Sequence, residues 1–156
     1  MSIVVTTTKM IVEHLQSIIP DAYCRRSYSH VLDPAELEEI GKTALCVVPA
    51  DRDAEHFTQG GMQKNLLIID ICINAKLKHS SDDKEEFLAE IDELIAFAEK
   101  IYSLFLKKSE KNIDGLKISF TQPEHALLCD YDMIHARSCF LSVVQVHAVV
   151  FAKPEV

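Results

Sequence analysis

The sequence predicts an α+β domain: a mostly antiparallel mixed β-sheet with helices packed on a face. Three observations predict it. From Gln63 to Lys78 apolar side chains recur at every second position, the period of a strand. A second alternating run, "RSCFLSVVQVHAVVF", lies near the C-terminus. Between them apolar residues recur at spacings of three and four, which predicts one long amphipathic helix (about 82-108). The 156 residues (1-156) fit a single α+β domain, a length that buries roughly 70% of the surface an unfolded chain exposes.

Taken in order, a first helix is expected over Thr8 to Ile19. Thr7 or Thr8 caps it, Ile11, Leu15 and Ile18 share a face, and Pro20 ends it. "DAYCRRSY" reads as a short strand. In "DPAELEEIGK", Asp33 caps a short helix, Pro34 takes its first position and Gly41 closes it. "ALCVVPA" (Ala44 to Ala50) reads as a strand stopped by Pro49, and "DRDAEHFTQGG" as a charged loop. In the long strand that follows, Leu67, Ile69, Ile71, Ile73, Ala75 and Leu77 form a wholly apolar face. Leu66, Ile68, Asp70, Cys72, Asn74 and Lys76 form a mixed one.

The long helix places Phe87, Ile91, Leu94, Ile95, Ala98, Ile101, Tyr102 and Phe105 on one side, with Asp82 and Glu85 as a capping-box variant. Asn112 to Gly115 reads as a turn, "LKISF" as a strand, and "HALLCDYDMIH" as a further strand with a turn.

Composition excludes several functions. At 48% hydrophobic and 26% charged the chain is not disordered, and a formal charge of −8 argues against nucleic-acid binding, which needs a basic surface. No apolar stretch reaches the length of a membrane span, and "MSIVVTTTKM" lacks the features of a secretory signal. Cys24, Cys46, Cys72, Cys129 and Cys139 stand at wide spacings without CxxC, which predicts free, mostly buried thiols in a reducing compartment.

No motif carries chemistry. Gly60-Gly61 lacks the lysine, hydroxyl and helix start of a phosphate loop, so it reads as a turn. Asp70 as a catalytic acid needs a partner, and Gln145 or His147 on the last strand could supply one only if the register brought them together. His125, Cys129, His135 and Cys139 are zinc-ligand types at a spacing that matches no compact site. The acidic run before the long helix lacks the alternating pattern of a calcium loop. No catalytic residue, metal ligand or cofactor is expected.

The succession of "DPAELEEIGKTALCVVPADRD", the strand "LLIIDICINAKL", the helix "EIDELIAFAEKIYSLFL" and the final "ARSCFLSVVQVHAVVF" resembles the tail terminator and tail completion proteins of long-tailed bacteriophages. The likeness is one of layout and hydrophobic pattern over nearly the whole chain. It implies a structural virion protein of the tail or neck, assembled in the bacterial cytoplasm, and not an enzyme. Subunits of this kind form a ring, typically a hexamer, that caps the tail tube, stops its polymerisation and meets the head-tail connector protein. The expected partners are therefore further copies of the chain, the tail tube protein and the connector, with no membrane or specific nucleic acid. Position in the charged loop selects Arg52, His56 and Lys64 as partner contacts. Two alternatives differ in class. One is a non-phage adaptor or immunity-type binding protein with a basic partner. The other is a small metal-dependent enzyme using Asp70, His147 or the His125-to-Cys139 region.

Overall fold

The computed structural model describes residues 2–56, 61–106, 110–113 and 115–153. In chain order the elements are α1 (Ile3–Ile18), β1 (Tyr23–Arg26), α2 (Pro34–Ile40), β2 (Ala44–His56), β3 (Gln63–Lys76), α3 (Lys84–Leu104), β4 (Glu110–Ile113), β5 (Leu116–Phe120), β6 (Glu124–Leu127), α4 (Tyr131–Arg137) and β7 (Cys139–Ala152). The sheet runs β1-β2-β3-β7-β5-β4, with β6 also paired to β7. Among the described residues only β1 and β2 pair in parallel; the other neighbours are antiparallel. This is an α+β fold. No helix among the described residues is long and apolar enough to cross a membrane.

The centre is the pairing of β2, β3 and β7. At 14 residues each, β3 and β7 extend about 46 Å at roughly 3.3 Å per residue. Their shared apolar face, here called the front, carries Leu67, Ile69, Ile71 and Ile73 opposite Ala148, Val146, Val144 and Ser142. Onto it pack Ile11 and Leu15 of α1 with Ala98 and Ile101 of α3, all fully buried. Burying each such aliphatic side chain contributes about 1.5–3 kcal/mol, so this layer dominates stability.

α1 begins five residues before the expected Thr8. Ser2 caps it by accepting from the Val5 N–H at 3.2 Å, and the Thr8 hydroxyl bonds back to the Val4 carbonyl at 2.6 Å. Burial of Ile3 and Met10 in the front core outweighs the weak helix propensity of "VVTTT". α2 matches the sequence reading: Asp33 accepts from the Ala35 N–H, and Gly41 ends the helix at φ +73°. α3 is shorter than 82–108. Asp83 stands at its N-cap without a side-chain cap bond, and Glu90 instead accepts from the N–H groups of Lys78 and His79, tying the connection down. The segment after Leu127 forms α4 rather than a turn, capped by Asp130.

The largest departure is β2. Pro49 does not stop it; the strand continues to His56, so most of the expected loop is the outer arm of a hairpin with β3. β1 ends opposite Val47, leaving Pro49 on an edge where its missing N–H costs no ladder bond. The register shifts between Pro49 and Asp51, a bulge at Ala50. That extra residue re-phases the strand. Before it Ala44, Cys46 and Val48 face the back; after it Asp51 and Asp53 do. Residues 57–60, including Gly60, lie outside the described residues; Gly61, at φ +68°, stands two residues before β3.

Candidate interaction surface

The back of the sheet divides into two halves. In the first, a second apolar cluster gathers Ala44, Cys46 and Val48 of β2 with Cys72 of β3 and Leu141 and Val143 of β7. Leu37 of α2 and Leu32 of the preceding loop cover it, so helices pack on both faces. Asn74, 1% exposed, fastens that loop: its Oδ1 accepts from the Leu32 N–H at 3.2 Å and its Nδ2 donates to the His30 carbonyl at 3.1 Å.

Asp70 marks the border. The register sets it opposite Gln145, whose Nε2 donates to Asp70 Oδ1 at 3.1 Å, while His30 Nε2 lies 2.9 Å from Oδ2. Both carboxylate oxygens thus have partners, and a side chain 40 positions away in sequence is held to the sheet. His147, weighed as a partner for Asp70, stands opposite Ile68 instead. No hydroxyl or thiol bonds this group among the described residues. Cys72 is nearest on the same face, and burial, reinforced by the Asp70 carboxylate, raises its thiol far above the usual range. The arrangement clasps a loop; it has no activated nucleophile.

The remaining thiols behave likewise. All five cysteines are free and buried. Burial pushes Cys24 up to about 11 and raises Cys46, Cys129 and Cys139. The four zinc-type residues do not converge. His125 stacks on Tyr102 with ring centroids 4.5 Å apart, Cys129 joins the front core, Cys139 joins the back cluster and His135 is exposed. No three His, Cys, Asp or Glu gather into a metal site among the described residues.

Beyond Asp70 the second half of the back carries no helix among the described residues. Leu66 and Ile68 of β3 and Val149 and Phe151 of β7 are half-buried there, in a stripe bordered on β2 by the exposed Asp51 and Asp53. A cavity of about 410 Å³ opens on this stripe beside His147, whose Nε2 is buried without a hydrogen-bond partner.

The edges of the sheet differ as well. Along β1, Gln16 of α1 accepts from the Cys24 N–H at 3.2 Å and donates to the Ala22 carbonyl at 2.9 Å, so a side chain stands where a strand would. Along β4, Lys111 meets His14 of α1 at 3.0 Å, and the strand is only four residues long. The far arm of β2, from Asp51 to His56, has β3 on one side and, among the described residues, no strand on the other.

The three residues selected as partner contacts all sit on this hairpin. Arg52 faces the front, where its Nε and Nη2 donate to Asn65 Oδ1 at 3.1 and 2.9 Å. Asn65 is fully buried, so Arg52 braces the hairpin while remaining exposed. Lys64 shares the back face with Leu66 and pairs across the ladder with Glu55 and Phe151. His56 ends β2 opposite Gln63; its side chain lies outside the described residues. Asp51, Asp53, Ile68 and His147 complete the surface. An odd-numbered acid facing the same side as Ile68 requires the bulge, which no local pattern announces.

No family model matches the chain, and neither does any curated protein.

Proposed function

We propose that the chain is a ring-forming structural subunit of a phage or prophage tail. The ring, a hexamer by resemblance, caps the tail tube, stops its polymerisation and joins the connector of the head; its place is the virion neck. The observation that supports this reading is the helix-free end of the sheet. A long hairpin projects past the helices of the back face, carrying an apolar stripe and an open strand edge. Monomeric proteins protect such edges and cover such stripes, and a neighbouring subunit or the tube does both at once. Nothing in this role requires catalysis, in keeping with an Asp70 carboxylate engaged in fastening a loop.

Light scattering over a concentration series, with negative-stain images of the same sample, tests the reading. Rings of about six subunits are the expected outcome on the symmetry such assemblies adopt. Monomers alone that become caps on added tail tubes also fit; monomers that leave tube ends bare do not.

The acidic border of Asp51 and Asp53 favours a second reading, an adaptor that binds one basic partner. That protein would stay monomeric or dimeric and bind with strong salt dependence.

A further inference from the structure

We infer that the far arm of β2 receives an extended, basic segment of a partner protein as an added strand. The inference rests on the reading of the helix-free end as a contact surface and names what fits it. Three features converge. The first is the open edge: among the described residues Asp51 to His56 are paired only with β3, whereas the Cys24 N–H on β1 is already met by Gln16. On the open arm the Arg52 N–H is met by its own neighbour, the Asp51 carboxylate, at 2.8 Å. A strand carbonyl arriving there takes over that amide and releases Asp51 for a cation.

The second feature is charge. Asp51 and Asp53 both face the back, two positions apart, as the bulge at Ala50 dictates. An added strand places alternate side chains beside them, within about 5.5 Å across the ladder. Lysine or arginine at those positions is stabilised, and acids are repelled. A second copy pairing through the same arm brings Asp51 and Asp53 against each other, so the edge selects against itself.

The third is the apolar cavity one strand further in. Leu66, Ile68 and Val149 wall it, the two aspartates stand at its rim, and His147 Nε2 lies buried there without a partner. A long basic side chain lays its methylene stem across such walls and leaves its charged head among the carboxylates. Strand addition supplies main-chain bonds and the pocket supplies selectivity, the two components of edge recognition.

The probe is an acetylated nonapeptide of alternating valine and arginine, with a valine–glutamate peptide as control. It is added to the isotopically labelled full chain, and amide exchange is followed by NMR. The expected result is slowed exchange at Arg52 and Ala54 with the basic peptide only, lost on raising salt. Joint Asp51→Asn and Asp53→Asn substitution should weaken binding roughly threefold to tenfold, as two partly exposed charge contacts allow. Ala54→Pro, tolerable on an edge strand, should block protection without unfolding the chain. Equal binding of both peptides, or protection elsewhere, overturns the inference. So does an edge already protected without peptide in a concentration-dependent way, since a second copy then occupies it. Rings whose β2 edge stays exchangeable with the basic peptide present remove this inference and leave the ring reading standing; an edge that takes the peptide in a chain that never assembles does the reverse.

Discussion

The two halves of the back face are made by the same three strands, β2, β3 and β7, yet they are finished differently. In one, Leu32 and Leu37 cover an apolar cluster, and Asn74 and Asp70 fasten the covering loop to the sheet. In the other, the strands carry equally apolar residues, Leu66, Ile68, Val149 and Phe151, but acids border them and no helix among the described residues descends. The change falls within two residues along the strands, at Asp70 and Gln145 on the inner strands and at the bulge at Ala50 on β2. A polar residue inside a strand therefore serves as a boundary post: it ends one packed layer, and among the described residues no helix covers the next stretch. Asp70, the residue that most resembled a catalytic acid in the sequence, has this architectural use.

Substitutions on either side of that boundary should have opposite consequences. Ile71→Asp puts a charge where the front core offers no partner, and circular dichroism should show no cooperative unfolding. Ile71→Ala should cost about 2–5 kcal/mol by denaturant titration. Ile68→Asp, on the helix-free half, should cost about 1 kcal/mol and leave the fold intact while preventing assembly. Equal damage from Ile71→Asp and Ile68→Asp would erase the distinction between the two halves.

The fastening of the covered half should show next. Asn74→Ala leaves the Leu32 N–H and the His30 carbonyl without their bonds and should cost about 1–3 kcal/mol, with faster amide exchange at Leu32. Unchanged exchange would mean that the loop is held by its apolar contacts alone.

The thiols provide a test of burial. Ellman's reagent at pH 8 should react with almost none of the five cysteines in the folded chain and with all of them in denaturant. Their folded pKa values lie above the unfolded ones, so the contribution is complete at neutral pH and lost as pH rises past 9, the ordinary thiol value. Rapid labelling of Cys72 in the native chain would contradict the covered half.

The smallest effect belongs to His14. Burial, then the neighbouring Lys111, lowers its pKa below 6.5, so the unfolded chain binds the proton more readily. The stability is present above 6.5 and declines as pH falls below it. His14→Gln should flatten that slope in thermal unfolding curves; an unchanged slope would assign it elsewhere.

Much of this was legible in the sequence where periodicity speaks. The apolar face of β3, the buried side of α3 and the caps of α2 follow from spacing and from Asp33, Pro34 and Gly41. What was not legible depended on contacts distant in sequence. His30 lies in an unremarkable loop, and only folding brings it to Asp70. Pro49 read as a strand end because the absence of β1 beside it is a tertiary fact. The bulge at Ala50 decides which side Asp51 and Asp53 face, and a period-2 reading cannot see an inserted residue. The contact residues chosen from the loop, Arg52, His56 and Lys64, lie on the hairpin of β2 and β3, beside its acidic rim rather than on it.

The central claim is that the helix-free half of the back face is an assembly surface. Its most direct test is negative-stain imaging, with solution mass, of the native chain beside Ile68→Asp, each alone and with tail tubes added. The account predicts rings or capped tubes for the native chain and neither for a folded variant. A variant that assembles like the native chain, or a native chain that stays monomeric and leaves tube ends bare, would contradict it.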